Sequence, residues 1–318
     1  MANELMIKAA TYQYPEQIPA GVWFLPAVFM KYGDAIRNIT AKYQDFLGNG
    51  WQIYDPYENM DPKYHQGEYI DEWGCVWSNK VDGMGGLVTG HPIKTRADVY
   101  NMKVPDTDTG LPHGCMYLRI LDLRGFEEAM VDFCEEPPEL QILIDKILQY
   151  NISQVQLLLK NNKDKMVFFW DDLGMQHGLA IGPEKWRKYM KPCFAAMYKL
   201  CKDDGRLIYM HTDGCIHEIM PDLQECGVDI INPQVRANGL DNLERVCKGK
   251  IPINLDLDRQ LFPFATPSEI RAHIEECITR LYLPEGGLGV GAEISPDIPL
   301  ANIEAIIDTL NRMRFYKG

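Results

Sequence analysis

The sequence predicts an α/β protein, a single (β/α)8 TIM barrel spanning residues 1–318, with an irregular loop and hairpin excursion at about 55–110. The main observation is a pattern repeated five times in the second half of the chain: a short apolar run, polar residues, and then a helical pattern. Buried parallel strands read as continuous apolar segments, and crossover helices place their carboxyl ends on one side. The polar residues after these runs are therefore expected to meet at one mouth, where barrel enzymes have their active sites.

Nine segments are predicted as strands, and the last five of them end beside polar residues. These five alternate with helical patterns, whereas the first hundred residues are rich in aromatic residues and loop formers. In chain order the predicted strands are 18–26, 50–54, 71–77, 114–120, 166–170, 206–210, 228–231, 251–255 and 287–292.

Helix boundaries are marked by proline, glycine and capping residues. Two helices are predicted over about 124–134 and 137–160, separated by consecutive prolines, because proline is tolerated at a helix start but not within a helix. The sequence Thr-Pro-Ser-Glu at 266–269 is a capping box that opens a helix to about Leu281. Left-handed helix caps are predicted at Gly205, Gly227 and Gly249.

Composition limits the classes of function. A length of 318 residues allows one large α/β domain or two smaller ones. The chain has no apolar run long enough for a spanning helix, and its start lacks the layout of a signal peptide, so a cytoplasmic location is expected. Nine cysteines without a Cys-x-x-Cys motif are expected to be reduced. A net charge of −13 disfavours nucleic acid or an anionic membrane as partner.

His211 and Asp213 are the first candidates for catalysis. They lie two residues apart where a strand is expected to end, so their side chains point to the same side. A histidine beside a carboxylate is able to ligate a metal ion or to form an oriented acid–base pair. Glu293 follows the last apolar run and is a third candidate, as a metal ligand together with the other two or as a general acid. The alternatives are a packed His211, with Asp213 and Glu293 stabilising the helices that follow.

Asp171 and Asp172 form a carboxylate pair at the end of another predicted strand. Adjacent residues face opposite ways, so one carboxylate is expected to enter the cavity and the other to bond the backbone. Asp258 is a candidate of the same kind as Asp256, because both are polar residues that follow a predicted strand. Candidates for substrate binding are Gln234, Asn232, Tyr209, Asp256, Trp23, Phe24 and Arg119.

Two of these substrate-binding assignments have plain structural alternatives. Arg119 is a candidate for binding an anion, but it is equally suited to bridging strands in the barrel core. The aromatic residues Trp23, Phe24, Trp73 and Trp77 are candidates for an apolar lid over a flat ligand. Aromatic side chains are more often found in the core.

Four stretches resemble the uroporphyrinogen decarboxylase superfamily, and the similarity covers most of the chain from about residue 18 onward. The resemblance implies a single (β/α)8 barrel. It also implies one of two activities: tetrapyrrole decarboxylation, or cobalamin-dependent methyl transfer similar to that of methylcobalamin:coenzyme M methyltransferase. The stretches are 209–214, 219–223, 227–234 and 291–303.

The chain departs from both branches of this superfamily. Decarboxylases carry an arginine-rich segment after the first strand that binds a polycarboxylate, and the matching stretch 22–31 contains no arginine. The coenzyme M branch binds zinc through His-x-Cys and a later Cys. Here His211 matches, but Asp213 and Ala292 replace the two cysteines, and Glu293 is adjacent. Oxygen ligands replace thiolates, which favours methyl donors that release oxygen or nitrogen.

The sequence thus leads to the hypothesis of a corrinoid-dependent methyltransferase, an O-demethylase acting on methoxylated aromatics. A corrinoid (cobalamin) carried by a partner protein would accept the methyl group, with zinc as a second expected cofactor. A homodimer is expected by analogy with relatives. Two alternatives stay open: a decarboxylase or lyase of a small carboxylated substrate, and a non-catalytic tetrapyrrole-binding accessory protein.

Overall fold

A computed structural model describes residues 2–58, 60–106, 110–111 and 113–318 of the chain. Its strands alternate with helices, which makes the protein an α/β fold. The strands are β1 (Ala20–Phe24), β2 (Gly67–Ile70), β3 (Val76–Asn79), β4 (Leu87–Gly90), β5 (Met166–Trp170), β6 (Leu207–Thr212), β7 (Ile230–Pro233), β8 (Ile253–Asp256) and β9 (Leu288–Ile294).

Helices follow most of the strands, and four of the predicted capping residues lie at helix ends. Thr266 forms the capping box with Glu269, and Gly205, Gly227 and Gly249 all have positive φ. The helices are α1 (Ala2–Ala10), α2 (Pro26–Tyr32), α3 (Asp34–Lys42), α4 (Gln44–Leu47), α5 (Asp98–Asn101), α6 (Tyr117–Arg124), α7 (Phe126–Glu135), α8 (Pro138–Asn161), α9 (Gly182–Lys185), α10 (Lys191–Asp203), α11 (Met220–Cys226), α12 (Val235–Asn238), α13 (Leu240–Cys247), α14 (Pro267–Leu281) and α15 (Leu300–Met313). Shorter helical turns are the 3-10 segments Gly50–Gln52 and Pro62–Tyr64 and the π-helical segment Trp186–Met190.

The chain divides into two compact units. The first unit comprises Met1–Gly67, Ser78–Gly86 and Gln234–Gly318, and the second comprises Glu68–Trp77 and Leu87–Pro233. Each unit contains three strands that pair in parallel. The predicted eight-stranded closure and the predicted single domain therefore stay predictions. No described helix combines the length and apolar composition needed to cross a membrane.

In the first unit, β9 lies between β1 and β8 and is parallel to both. The register places Trp23 beside Glu293 and Asp256 beside Gly291. Laterally paired residues of neighbouring strands project to the same face of a sheet. Trp23 and Glu293 therefore share a face at the carboxyl ends of β1 and β9.

In the second unit, β6 lies between β5 and β7, again in parallel. Trp170 is paired with His211, and His211 with Asn232, so the three side chains lie side by side near the strand ends. Residues of β6 that alternate with His211, such as Met210 and Thr212, are fully buried. Within the residues predicted as an excursion, β2, β3 and β4 form a separate three-stranded sheet.

Three strand predictions were wrong in whole or in part. Residues 71–77, predicted as one strand, mostly form the turn between β2 and β3, and only residues 76 and 77 lie in a strand. Residues 114–120, predicted as a strand, form a turn that leads into α6, because backbone N–H groups at the start of this segment are bound by a carboxylate far away in sequence. Residues 50–54, also predicted as a strand, contain a 3-10 turn in which Trp51 packs against the rings of Phe24 and Phe29.

Candidate active site

His211 lies near the carboxyl end of β6, between two polar partners. Its Nε2 atom is 3.2 Å from Oδ1 of Asp213, and its Nδ1 atom is 2.7 Å from Oδ1 of Asn232. The spacing of two residues on an extended segment thus brings His211 and Asp213 together, as their positions in the sequence suggest. Asn232, predicted to bind substrate, holds the opposite side of the imidazole ring and so fixes its orientation.

Asp172 and His113 complete this group, which we call the histidine–carboxylate cluster: His113, Asp172, His211 and Asp213. Oδ1 of Asp172 is 3.3 Å from Nε2 of His113 and 3.9 Å from Nε2 of His211. The same oxygen accepts the backbone N–H of Asp213 at 3.2 Å. Three of the four side chains are mostly buried, and His113 is the exposed one.

His113 is a residue that sequence reasoning missed. It lies in a turn without ligand-like spacing, and it reaches the cluster because the next residue, Gly114, donates its N–H to the carbonyl of Trp170 at 2.8 Å. Gly114 has a φ of 77°, which suits glycine. An isolated histidine before a glycine gives no sequence signal for this long-range pairing.

Asp171 has a different role from its neighbour. Its carboxylate is fully buried and accepts the backbone N–H groups of Met116, Tyr117 and Leu118 at 2.8, 2.6 and 2.9 Å. Burial raises the pKa of Asp171 to about 6, although the three N–H groups act in the opposite direction. Asp171 therefore caps the start of α6, and Asp172 is the carboxylate that enters the cluster. This agrees with the expectation that one of the pair bonds the backbone.

Two glycines bring the loops after β5 and β6 into contact. Gly174 donates its N–H to the carbonyl of Asp213 at 3.1 Å, and Cys215 donates to the carbonyl of Met175 at 2.8 Å. A Cβ atom on Gly214 would lie 2.2 Å from the backbone of Gly174, and one on Gly174 would lie 2.5 Å from the backbone of Cys215. Only glycine at both positions allows this approach, which sets Asp172 beside Asp213.

The electrostatic surroundings favour the protonated form of His211. Burial lowers the pKa of its imidazole, but the hydrogen bond and charge of Asp213, the contact with Asn232 and the charge of Asp172 outweigh burial. The net result is a pKa of about 9. His211 is accordingly a proton donor beside two carboxylates at neutral pH.

Aromatic side chains form the surface next to His211 in the second unit. The rings of Phe168 and Trp170 are stacked at 5.9 Å with an interplanar angle of 15°, and the ring of Tyr209 lies 5.0 Å from that of Phe168. Phe168 is 37% exposed although it lies on a strand, so its face is available for contact. Tyr209 was predicted from the sequence, whereas Phe168 and Trp170 were hidden in a run that is uniformly apolar.

Arg119 lies on α6 and not on a strand. It is buried, its guanidinium is 3.2 Å from Oδ2 of Asp71 and 3.7 Å from Oδ2 of Asp122, and it lies over the ring of Trp73. Burial raises the pKa of Asp122 to about 6, against the opposing effect of Arg119. The guanidinium is thus part of a buried ionic network. The alternative of a structural role fits this position better than anion binding.

Trp23 and Arg259 contact Glu293 in the first unit. Its carboxylate accepts the Nε1–H of Trp23 at 3.2 Å and pairs with Arg259 at 3.0 Å. Phe24 faces the other way and is buried, with its ring 5.5 Å from Phe29. Trp23 is therefore a polar partner of Glu293, and Phe24 belongs to the aromatic core.

The other predicted polar residues of the first unit are in part structural. Gln234 and Asp256 form an isolated parallel bridge, and Asp256 is buried. Asp258 pairs with Arg236 at 2.9 Å and accepts the backbone N–H of Gln260 at 3.0 Å, so it stabilises its own loop. The proposed meeting of Glu293 with His211 and Asp213 as a metal site stays a prediction.

A divalent metal ion fits part of the cluster. One ligand atom each from His113, Asp172 and His211 lies within 4.8 Å of the others. Tetrahedral zinc with bonds of about 2.1 Å needs ligand atoms about 3.4 Å apart, close to the 3.3 and 3.9 Å from Asp172 to the two histidines. Two imidazoles and one carboxylate also match the ligands of catalytic zinc sites, which keep a fourth position for substrate.

The chain belongs to the uroporphyrinogen decarboxylase family: the family described as "Uroporphyrinogen decarboxylase (URO-D)" matches residues 119–313, well over half of the sequence. A solved structure with a similar fold is a methyltransferase from Methanosarcina mazei. It has a TM-score of 0.67 and 15% sequence identity, and the match covers 96% of this chain and 97% of that chain. At this identity the likeness establishes the fold. No curated protein matches the chain.

Proposed function

We propose that the protein is a corrinoid-dependent methyltransferase that takes a methyl group from an aryl methyl ether, that is, an O-demethylase. The observation that carries the proposal is the histidine–carboxylate cluster beside the aromatic surface of Phe168, Trp170 and Tyr209. The family and the methyltransferase of similar fold support an enzyme of methyltransferase type.

The aromatic surface supports a flat methyl donor. Stacked and tilted rings prefer a further aromatic ring at a centroid distance of about 4.5–7 Å. Phe168 offers such a contact because its side chain is partly exposed, whereas those of Val167 and Phe169, next to it in β5, are buried. A methoxylated ring on this surface would place its ether oxygen towards His211, which pairs with Trp170 in the sheet.

The chemistry requires that the leaving oxygen be stabilised. When the methyl carbon is transferred, the electrons of the C–O bond stay on the oxygen, which becomes a phenoxide unless a proton or a cation reaches it. A corrinoid held by a separate protein would supply the nucleophile that accepts the methyl group. His211 gives the proton of its Nε2 to this oxygen and becomes a neutral imidazole, and the carboxylates of Asp213, 3.2 Å from Nε2, and Asp172, 3.9 Å from it, stabilise the charged ring before the transfer. Asn232 holds the other nitrogen.

Zinc is the second expected cofactor. His113, Asp172 and His211 would hold the ion, and a bound zinc ion would act as a Lewis acid on the ether oxygen. The two forms of the proposal differ in what they require of His113. Proton donation by His211 does not need this side chain, whereas a three-ligand metal site does.

The test is methyl transfer from methoxybenzoate to chemically reduced cobalamin, followed by absorbance and by detection of the hydroxybenzoate product. We expect His211→Ala and Asp213→Asn to lower turnover about a hundredfold or more, the usual effect of losing a general acid or its support. Asp203→Asn is the matched control, because Asp203 is exposed and pairs with Lys199 on the surface of α10. Unchanged turnover in His211→Ala would refute the proposal.

Measuring the zinc content of a variant distinguishes the zinc-dependent version of the proposal from direct proton donation by His211. If zinc is required, His113→Ala will lose both zinc, measured by elemental analysis, and turnover. If His211 acts directly, His113→Ala will keep most of its turnover. Release of carbon dioxide from a carboxylated substrate, without methylation of cobalamin, would instead favour a decarboxylase, which the family match also supports.

A further inference from the structure

The first unit contains a hollow of about 570 Å³ beside its three strands. It is lined by residues 19–23 at the start of β1, by Asn254 of β8, by Val290 and Gly291 of β9, and by side chains of α1. Its volume lies within the range of about 300–1,000 Å³ that is usual for sites that bind small molecules. None of its polar lining residues belongs to the histidine–carboxylate cluster.

Glycine residues create this hollow. The face of the sheet that carries Gly21 and Gly291 would bear branched apolar side chains in an ordinary barrel core. A Cβ atom on Gly21 would meet nothing within 4 Å, so the space above it is open. A Cβ atom on Gly291 would lie 2.7 Å from the ring of Trp23, which therefore rests directly on the glycine. The missing side chains leave an opening whose wall is an indole.

Of the two cationic side chains that line the hollow, Lys8 has an acidic partner and Arg314 has none in the part of the chain that the structure describes. Lys8 is neutralised by Glu16, whose carboxylate is 3.1 Å away, and Glu4 is exposed to solvent. Arg314 is half-buried, and no acidic side chain of the described residues lies within ion-pair distance of it. Its guanidinium instead lies over the ring of Phe46 at 5.0 Å.

Arg314 also has a hydrogen-bonding capacity that the protein does not use. Its Nε atom is buried and has no hydrogen-bond partner among the described residues. Burial lowers the pKa of this guanidinium, and Asp45 opposes that effect only through its charge. A half-buried cation without a paired anion is stabilised when a ligand supplies one.

We propose that this hollow is a binding site for a small aromatic carboxylate, with its ring against Trp23 and Phe46 and its carboxylate on Arg314. The aromatic wall and the glycine floor suit a flat ring, and the single unpaired cation suits one negative charge. Asn254 and Gln17 add polar side chains to the lining. The site is distinct from the histidine–carboxylate cluster, because none of its lining residues belongs to that cluster.

The experiment is calorimetric titration of the full chain with benzoate and with benzamide, which has the same shape without the charge. We expect benzoate to bind at one site and benzamide to bind at least about tenfold more weakly, since benzamide cannot form the ion-paired hydrogen bond with the guanidinium of Arg314. Arg314→Met should weaken benzoate binding by a similar factor. Equal affinities for benzoate and benzamide, or no binding of benzoate at millimolar concentrations, would overturn the proposal.

A cavity-filling variant locates the site. Gly21→Leu should abolish benzoate binding because its side chain enters the open space, whereas Gly21→Ala is the matched control and should bind within about threefold of the wild type. His211→Ala should bind benzoate normally. Loss of binding in His211→Ala, or normal binding in a folded Gly21→Leu, would overturn the assignment to this hollow. If Gly21→Leu fails to fold, Arg314→Met and the benzamide comparison still decide.

Discussion

Gly214 is the residue whose replacement best tests how the cluster is built. Its φ of 82° lies in the left-handed region, where an L side chain costs about 1–2 kcal/mol. A Cβ atom at this position would also lie 2.2 Å from the backbone of Gly174, and forced overpacking costs about 1–3 kcal/mol more. We therefore expect Gly214→Ala to reduce the free energy of unfolding by about 2–5 kcal/mol.

Gly205→Ala is the control for this experiment. Gly205 has a similar φ of 74°, but a Cβ atom there would meet nothing within 4 Å, so the change introduces backbone strain without a clash. Unfolding by denaturant should show a smaller loss for Gly205→Ala, about 1–2 kcal/mol. Methyl transfer should fall in Gly214→Ala alone, because a displacement of about 1 Å at a catalytic group lowers a rate about a hundredfold. Equal losses of stability and activity in the two variants would refute the argument that the close contact of the loops positions Asp172 and Asp213.

Two further predictions concern buried carboxylates of the second unit. The pKa of Asp122 is raised from 3.8 to about 6, so its contribution to stability is fully present below pH 3.8 and is lost as the pH rises through 6. Denaturant unfolding should therefore show Asp122→Asn gaining about 3 kcal/mol relative to the wild type between pH 3 and pH 8, and a difference independent of pH would contradict the assignment. Asp171→Ala leaves the N–H groups at the start of α6 without their acceptor, and we expect a loss of about 2–4 kcal/mol in the same assay. A loss below about 0.5 kcal/mol, the range of ordinary surface changes, would show that Asp171 is not the cap that the distances indicate.

The parallel strands were predictable because buried strands leave a direct mark on the sequence. Residues 166–170 were predicted as a strand and form β5 with the same bounds, and the predicted helix after the capping box ends at Leu281. These elements depend on local physics: apolar runs, a helix cap and a glycine with positive φ. The positions of His211 and Asp213 followed from them, because both residues flank the end of β6.

The part that escaped prediction depends on contacts between residues far apart in the chain. The apolar run at 114–120 has the composition of a strand, but the carboxylate of Asp171 binds three of its N–H groups and so starts a helix. The turn that precedes this helix also places His113 beside Asp172. Nothing local to His113 indicates this pairing.

The carboxylates at the end of β5 determine which donor atoms the histidine–carboxylate cluster offers. The carboxylate of Asp171 accepts backbone N–H groups at the start of α6. The next residue, Asp172, faces the other way, and its Oδ1 atom lies near both His113 and His211. Together with Asp213, the cluster offers oxygen and nitrogen donors and no sulfur, a set that suits protonation or coordination of an oxygen leaving group better than capture of a thiolate. Asp213 stands where the coenzyme M branch has a cysteine, and this difference favours an oxygen leaving group over a thiolate. For this reason the proposed methyl donor is an ether and not a thiol.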